Sequence, residues 1–561
     1  MILQHKDWKS GFYQAYLKVA AVICAIAILG FSVVGNYGVS WDESLEIGMV
    51  KNNFDLITEG KPLPTDLKHY GVLFNLSAEV AFQATQFAQQ GLDYDPLADS
   101  RINVSNDQAS FQNIVYQRLR DRIAVKHPFT FLVSLITYIS VAGLVGILAG
   151  KQYAWFAPII MALFPRFWGH SFFNPKDIPF AAMFTLGTLA STFFVNYYIQ
   201  KEDRQETQFG FNQITLYSFL YGLLIGLVTS TRIGGFFLLF YFGLTHLILR
   251  LLQGNFLEYI RRFWKFYLLI GLAWGITTTI FHPASWSNPV FWFIETLQYL
   301  SAHVRDAGDF FMGQNWSSKD LPWYYLPRWL TISIPVFFQF FFWIGIGFII
   351  AKFQRFTSLQ KATILLVLLQ VFFIPILAIL RDSTIYGGMR QFLFVLPGIA
   401  VITSSALIWV YQALKPQFLR WFAVGLTAVI LSITVTDMIA LHPYEYSYFN
   451  RAVGGIAQAG KYYDTDYWGT SLSEGMKWLN ENGEPNSTVL VGGSFHSARI
   501  YADSEKFTLY EMENPEQQLT GNPDYYLTLH RWELPQKYPE CETIHEVQRQ
   551  GITLTSIKKC P

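Results

Sequence analysis

The chain has 561 residues, of which 52% are hydrophobic, 17% aromatic and only 14% charged, against roughly a quarter charged in ordinary soluble domains. A net charge of +1 removes nucleic acid and other polyanions as partners on bulk electrostatics. The length is used up by apolar stretches of ~20 residues, each able to cross a hydrocarbon core, so an α-helical polytopic membrane protein is expected.

Apolar runs near 17–35, 128–149, 153–171, 178–199, 214–231, 233–250, 265–281, 328–350, 361–380, 391–411 and 418–440 predict about eleven transmembrane helices. The first follows Lys6, Lys9 and Lys18 and is expected to remain an uncleaved span, because no small-x-small site precedes Trp41. With the N-terminus in the cytoplasm, Lys151, Lys201/Arg204, Arg250 with Arg261/Arg262/Lys265, Lys352/Arg355/Lys361 and Lys415/Arg420 all fall on the cytoplasmic side. That is the positive-inside pattern. The remaining loops and the tail of this multi-pass membrane protein are therefore expected on the opposite, non-cytoplasmic side.

The first external loop, 36–127, opens on Val39-Ser40-Trp41-Asp42-Glu43. Adjacent carboxylates at a water–lipid boundary could act as a base, hold a cation or simply end a helix in solvent. Further along, the 70–90 stretch sets Val72, Leu73, Leu76, Val80 and Phe87 on a face suited to a membrane surface. A loop this long reads as a lid or an interfacial layer.

The next external turn, Phe164-Pro165-Arg166-Phe167-Trp168-Gly169-His170 with Asn174-Pro175-Lys176-Asp177-Ile178-Pro179, packs five ionisable or amide side chains between two apolar runs. Unpartnered charges there would be costly, so Arg166, His170, Asn174, Lys176 and Asp177 become candidate site residues. Arg232, before Gly234-Gly235, and Arg390, with Tyr386 just upstream, lie at other external ends. A guanidinium fits phosphate oxygens through two parallel bonds. His282 and His442 each follow a span directly, without the spacing of a zinc site. No phosphate-binding P-loop, dinucleotide fingerprint or nucleophile elbow is present.

The tail, 441–561, reads as a small extracytoplasmic α/β domain attached to a membrane domain, 1–440. Residues 470–482 have helical character, and 488–491, 525–529 and 552–557 look like strands. Cys541 and Cys560 lie in this tail, and their spacing leaves a disulfide open.

Taken in order, Trp41-Asp42-Glu43, the Phe-Pro-Arg-x-x-x-His…Asn-x-Lys-Asp-x-Pro turn, Arg390-Gln391-x-Leu-Phe-x-x-Pro397, His442-Pro443-Tyr444-Glu445-Tyr446-Ser447-Tyr448-Phe449-Asn450 and Asp466-Tyr467-Trp468-Gly469 resemble the membrane glycosyltransferases of the GT-C superfamily. The likeness is to bacterial relatives of protein O-mannosyltransferases and aminoarabinose transferases, and it runs from about residue 36 to 480. It implies a GT-C-like fold and transfer of a sugar from a polyprenyl-phosphate donor to a lipid, protein or glycan acceptor at the non-cytoplasmic face. Asp42 is then the base, Asp177 a second acid, and Arg390, with Lys176 and Arg232, holds the carrier phosphate. No cofactor is certain. Asp42, Glu43 and Asp177 could alternatively hold a divalent cation in place of the arginines. A rival from another class is a lipid-linked sugar flippase or transporter without transferase activity. Against it, no half of the sequence repeats, and the charges gather at one face and not at mid-membrane.

Overall fold

The computed structural model describes residues 2–561 apart from 66, 92–107, 252–255, 303–307, 513–518 and 520. The chain starts with α1 (Ile2–Val33), then α2 (Glu43–Glu59), α3 (Leu73–Gln90), α4 (Gln108–Ala149), α5 (Phe156–Ala162), α6 (Pro165–His170) and α7 (Asp177–Asp203). There follow α8 (Gln213–Thr231), α9 (Phe237–Leu251), α10 (Phe256–Ile280), α11 (Pro289–Ala302) and the hairpin β1 (Gly308–Phe311)–β2 (Gln314–Ser317). The membrane body closes with α12 (Tyr325–Ser333), α13 (Val336–Lys352), α14 (Ser358–Leu380), α15 (Val395–Ala413) and α16 (Gln417–Leu441). Among the described residues 10 helices are long and apolar enough to cross a membrane: α1, α4, α7 to α10 and α13 to α16. The protein is a multi-pass membrane protein.

The predicted run 153–171 is not one helix. Pro165 forces Phe164 into an extended conformation, φ −89° and ψ 96°, because a residue before proline is disfavoured in the helical region. The run becomes α5 and α6. At one end of the bundle Gln412 Nε2 donates to the Ala149 carbonyl at 3.1 Å and Gln360 Nε2 to the Ile147 carbonyl at 3.2 Å. At the other end Arg166 Nε donates to the Tyr448 carbonyl at 3.0 Å. The chain thus travels between the two ends through α5 and α6. Pro335 acts likewise on the run 328–350, leaving Ile334 extended at φ −103°, ψ 135° between α12 and α13.

After α16 the tail adds α17 (Gly455–Ala459), α18 (Ser471–Asn482), β3 (Ser487–Gly492), α19 (Phe495–Arg499), β4 (Phe507–Glu511), β5 (Tyr525–Leu529), β6 (Glu542–Arg549) and β7 (Ile552–Lys559). The five strands form one sheet in the order β4-β3-β5-β7-β6. The pairs β3–β4 and β3–β5 are parallel, while β5–β7 and β6–β7 are antiparallel. Leu472, Met476 and Leu479 of α18 pack on Val489, Val491, Leu527 and Ile557 of the sheet, and a Cys541–Cys560 disulfide ties the start of β6 to the end of β7. The expected helix and three expected strands correspond to α18, β3, β5 and β7. Strands β4 and β6 lie at the edges of the sheet with mostly part-exposed or exposed residues. Such strands carry little apolar alternation to read.

Backbone amides join this tail to the segment that leads into α2. The Val39 amide donates to Ser473 Oγ at 3.3 Å, and the Trp41 amide donates to the Trp468 carbonyl at 3.0 Å.

Candidate functional site

Asn174 shapes the turn that enters α7. Its Oδ1 accepts the amides of Lys176 at 3.1 Å and Asp177 at 2.9 Å, while its Nδ2 donates to Asp177 Oδ2 at 2.9 Å. The side chain replaces the helical acceptors missing at a helix start. Asp177 therefore occupies the first turn of α7, where the helix dipole favours an anion. Its other oxygen, Oδ1, accepts from Arg232 Nη1.

Asp42 stands immediately before α2, whose first turn carries Glu43 and Glu46. Asp42 Oδ2 lies 3.4 Å from Arg390 Nη1. Lys176 Nζ reaches Glu46 Oε1 at 2.7 Å and sits 4.4 Å from the centre of the Tyr70 ring. Three cations thus face three carboxylates: Lys176 with Glu46, Arg232 with Asp177, Arg390 with Asp42.

These groups surround a cavity of ≈ 230 Å³ lined by Asp42, His69, Tyr70, Lys176, Asp177, Arg232, Thr384, Tyr386, Arg390 and Gln391 on its polar side. Its apolar lining comes from Phe180, Ile233, Phe237, Ile374, Phe392 and Phe394, residues that belong to α7, α9 and α14 or lie just before α9 and α15. One compartment therefore offers both cations and hydrocarbon contacts.

Lys176 and Arg390 are held charged. Burial alone would lower the Lys176 ammonium, but the Glu46 and Asp42 carboxylates outweigh it and hold it above the usual lysine range. Arg390 shows the same balance, with burial opposed and exceeded by Asp42. Its guanidinium carbon lies 4.3 Å from the Trp468 ring centre and 4.9 Å from that of Tyr386, contacts that suit a weakly hydrated planar cation.

The remaining sequence candidates are placed elsewhere. Glu43 is fully buried and turned away from the cavity, with Oε1 2.9 Å from His127 Nε2 and Oε2 accepting the Ser40 amide at 2.7 Å. Arg166 is buried behind the cavity, with its guanidinium 5.0 Å from the Trp329 ring centre and 5.1 Å from that of Phe449. His170 Nε2 meets the Tyr467 hydroxyl at 2.9 Å. His282 packs 4.6 Å from Trp292, and burial lowers its ring to about 4 although the Thr278 carbonyl opposes this.

With Glu43 turned to His127, the trio Asp42, Glu43 and Asp177 does not converge. Among the described residues no group of three or more His, Cys, Asp and Glu side chains is placed to hold a metal.

Glu46, His69, Tyr70 and Trp468 were not among the sequence candidates. Glu46 is the one with a readable signal, since it lies one helical turn after Asp42 in a segment with acids in its first turn. The His442–Glu445 and Asp466–Gly469 motifs act at the joint between body and tail. Glu445 accepts the Tyr37 hydroxyl at 2.9 Å and faces His442 Nδ1 at 2.8 Å. Asp466 accepts the Gly469 and Ser471 amides at 2.7 and 2.8 Å and also the Tyr446 hydroxyl.

No family model matches the sequence, and no curated protein matches it. Among solved structures it is similar to ArnT from Cupriavidus metallidurans bound to undecaprenyl phosphate, at 10% identity and TM-score 0.44, covering 96% of this chain and 97% of that one. It is also similar to the Archaeoglobus fulgidus oligosaccharyltransferase in complex with Zn and sulfate, at 13% identity and TM-score 0.44, covering 90% of this chain and 67% of that one. Values of this size carry no residue role across. In the order of its motifs the chain resembles the membrane glycosyltransferases of the GT-C superfamily.

Proposed function

We propose that the protein is a membrane glycosyltransferase that moves a sugar from a polyprenyl-phosphate carrier to an acceptor hydroxyl or amine at the non-cytoplasmic face. The observation that carries this reading is the cavity lined both by Lys176, Arg232 and Arg390 and by the apolar groups of Phe180, Phe237 and Ile374. That combination suits a phosphate attached to a hydrocarbon chain.

The acceptor oxygen or nitrogen attacks the anomeric carbon as the bond from that carbon to the phosphate oxygen breaks. Asp42 takes the acceptor proton, and the carrier phosphate leaves with the bonding electrons into the field of the three cations. A single displacement inverts the anomeric configuration. The arrangement needs no second carboxylate to protonate the leaving group, unlike glycoside hydrolysis, because a phosphate is already a competent leaving group once its charge is met. Asp177 orients Arg232 or the acceptor.

Each cation already has a carboxylate partner, so the incoming phosphate must share or displace one. The Asp42–Arg390 contact, at 3.4 Å, is longer than the Lys176–Glu46 contact at 2.7 Å, and it is the pair the phosphate would open first. Opening it also frees Asp42 from an ion pair that weakens it as a base.

Purified protein given a labelled polyprenyl-phosphate sugar and a set of lipid, peptide and glycan acceptors should yield labelled acceptor. Movement of the donor across a vesicle bilayer without product would instead indicate a flippase. Orientation is a separate expectation, supported by the basic loops and by a disulfide in the tail, which persists on an oxidising side of a membrane. Cysteines introduced at 204 or 262 should resist an impermeant thiol reagent in intact cells, whereas one at 505 should react. Reaction at 204 together with protection at 505 would reverse the topology.

A further inference from the structure

Asp309, on the β1–β2 hairpin, lies outside the cavity and is fully buried. Its Oδ2 accepts the Tyr325 hydroxyl at 2.7 Å and the Gly387 amide at 2.7 Å. The same tyrosine oxygen accepts the Gly388 amide at 3.0 Å. Both amides that set the course of the chain between Tyr386 and Arg390 are therefore held by one Asp–Tyr unit.

The loop depends on that hold. Gly387 and Gly388 have φ of +66° and +69°, a left-handed backbone that residues with a side chain adopt at a cost. A Cβ on Gly387 would stand 2.9 Å from Arg390 Nε, so the backbone here passes directly against the guanidinium. A shift of these two glycines moves Arg390 relative to Asp42 and to the cavity.

The hairpin is in turn clamped by the tail. Asp464 Oδ2 accepts the Phe310 amide at 3.1 Å and pairs with Arg531 Nη2 at 3.1 Å, and Arg531 also donates to the Gly308 carbonyl at 3.1 Å. Burial, followed by the neighbouring Asp464 carboxylate, pushes Asp309 up to about 6, opposed by Tyr325, Arg531 and the Gly387 amide. Two buried carboxylates beside one arginine are a costly way to fill space. They are a suitable way to hold two backbone amides firmly, because bonds to a charged acceptor are shorter and stronger than neutral ones.

We propose that Asp309 is a positioning residue for Arg390, and that through Asp309, Asp464 and Arg531 the tail sets the geometry of the phosphate-facing loop. The inference rests on Arg390 holding the carrier phosphate.

The test titrates the full-length protein in lipid nanodiscs with undecaprenyl phosphate, alongside thermal unfolding of each variant. Asp309→Ala removes the acceptor and should weaken binding by about 10-fold to 100-fold, the range usual for groups that orient a ligating residue. Asp309→Asn keeps a neutral oxygen at the same place and should recover part of the affinity lost in Ala, while the discrimination from a packing role falls to Tyr325→Phe. Tyr325→Phe, which takes away only the acceptor of Gly388 and the hydroxyl on Asp309, should weaken binding several-fold even where Asp309→Ala fails to fold. Parental affinity in Asp309→Ala or in Tyr325→Phe would overturn the proposal, as would an Asn variant no better than Ala. Arg390→Ala run in parallel separates the two levels: if it too binds as the parent does, the phosphate reading fails, and if it alone loses binding, only the Asp309 inference fails.

Discussion

Asp42→Asn should lower sugar transfer by about 10²–10⁴-fold, the contribution typical of a general base, while the protein keeps its fold and its hold on a polyprenyl phosphate. The substitution keeps shape and removes the basic oxygen. Asp42 is a cavity-lining carboxylate whose side chain is 17% exposed. Its position is set from two sides: the Trp41 amide is bonded to Trp468 of the tail, and α2 begins at the next residue. A neutral Asn leaves Arg390 cationic and takes one negative charge out of the cavity. Affinity for the carrier phosphate should hold steady or rise. Single-turnover transfer measured beside phosphate binding checks both halves. Transfer at the parental rate would remove Asp42 as the base, and joint loss of transfer and binding would assign it a structural part instead.

Arg390→Ala should weaken polyprenyl-phosphate binding by about 10-fold to 100-fold, or about 1.4–2.8 kcal/mol, and slow transfer at least as much. The guanidinium is 11% exposed, so its bonds to an anion are little screened by salt. Truncation also takes one counter-charge away from Asp42 in a partly buried site, which adds to the loss. Arg390→Lys should restore only part of the affinity. An ammonium keeps the charge but loses the planar fork and the stacking over Trp468 at 4.3 Å. Unchanged affinity in Arg390→Ala at physiological ionic strength would take this residue out of the phosphate site and leave Lys176 and Arg232 to be tested in its place.

Periodicity and length alone determined much of this protein. A run of ~20 apolar residues has no stable place in water, and inside a bilayer its backbone can satisfy its hydrogen bonds only as a helix. Hence the spans, the polar ends where Asp42, Lys176, Asp177, Arg232 and Arg390 sit, and the α/β character of the tail were legible residue by residue. Pro165 and Pro335 were not read as breaks, because the overall hydrophobicity of the runs 153–171 and 328–350 masked them.

What the tertiary structure alone decided is pairing. Asp42 and Arg390 are 348 residues apart, and Arg166 reaches Tyr448 across 282; neither separation leaves a trace in a local pattern. The same holds for which of two adjacent acids turns to the cavity. Asp42 faces Arg390, while Glu43, one residue on in the first turn of α2, is rotated about 100° around the helix axis toward His127. A short sequence motif names candidate charges, but the partner that satisfies each charge is set by the packing of distant helices, because burying an ion unpaired costs more than any local preference supplies.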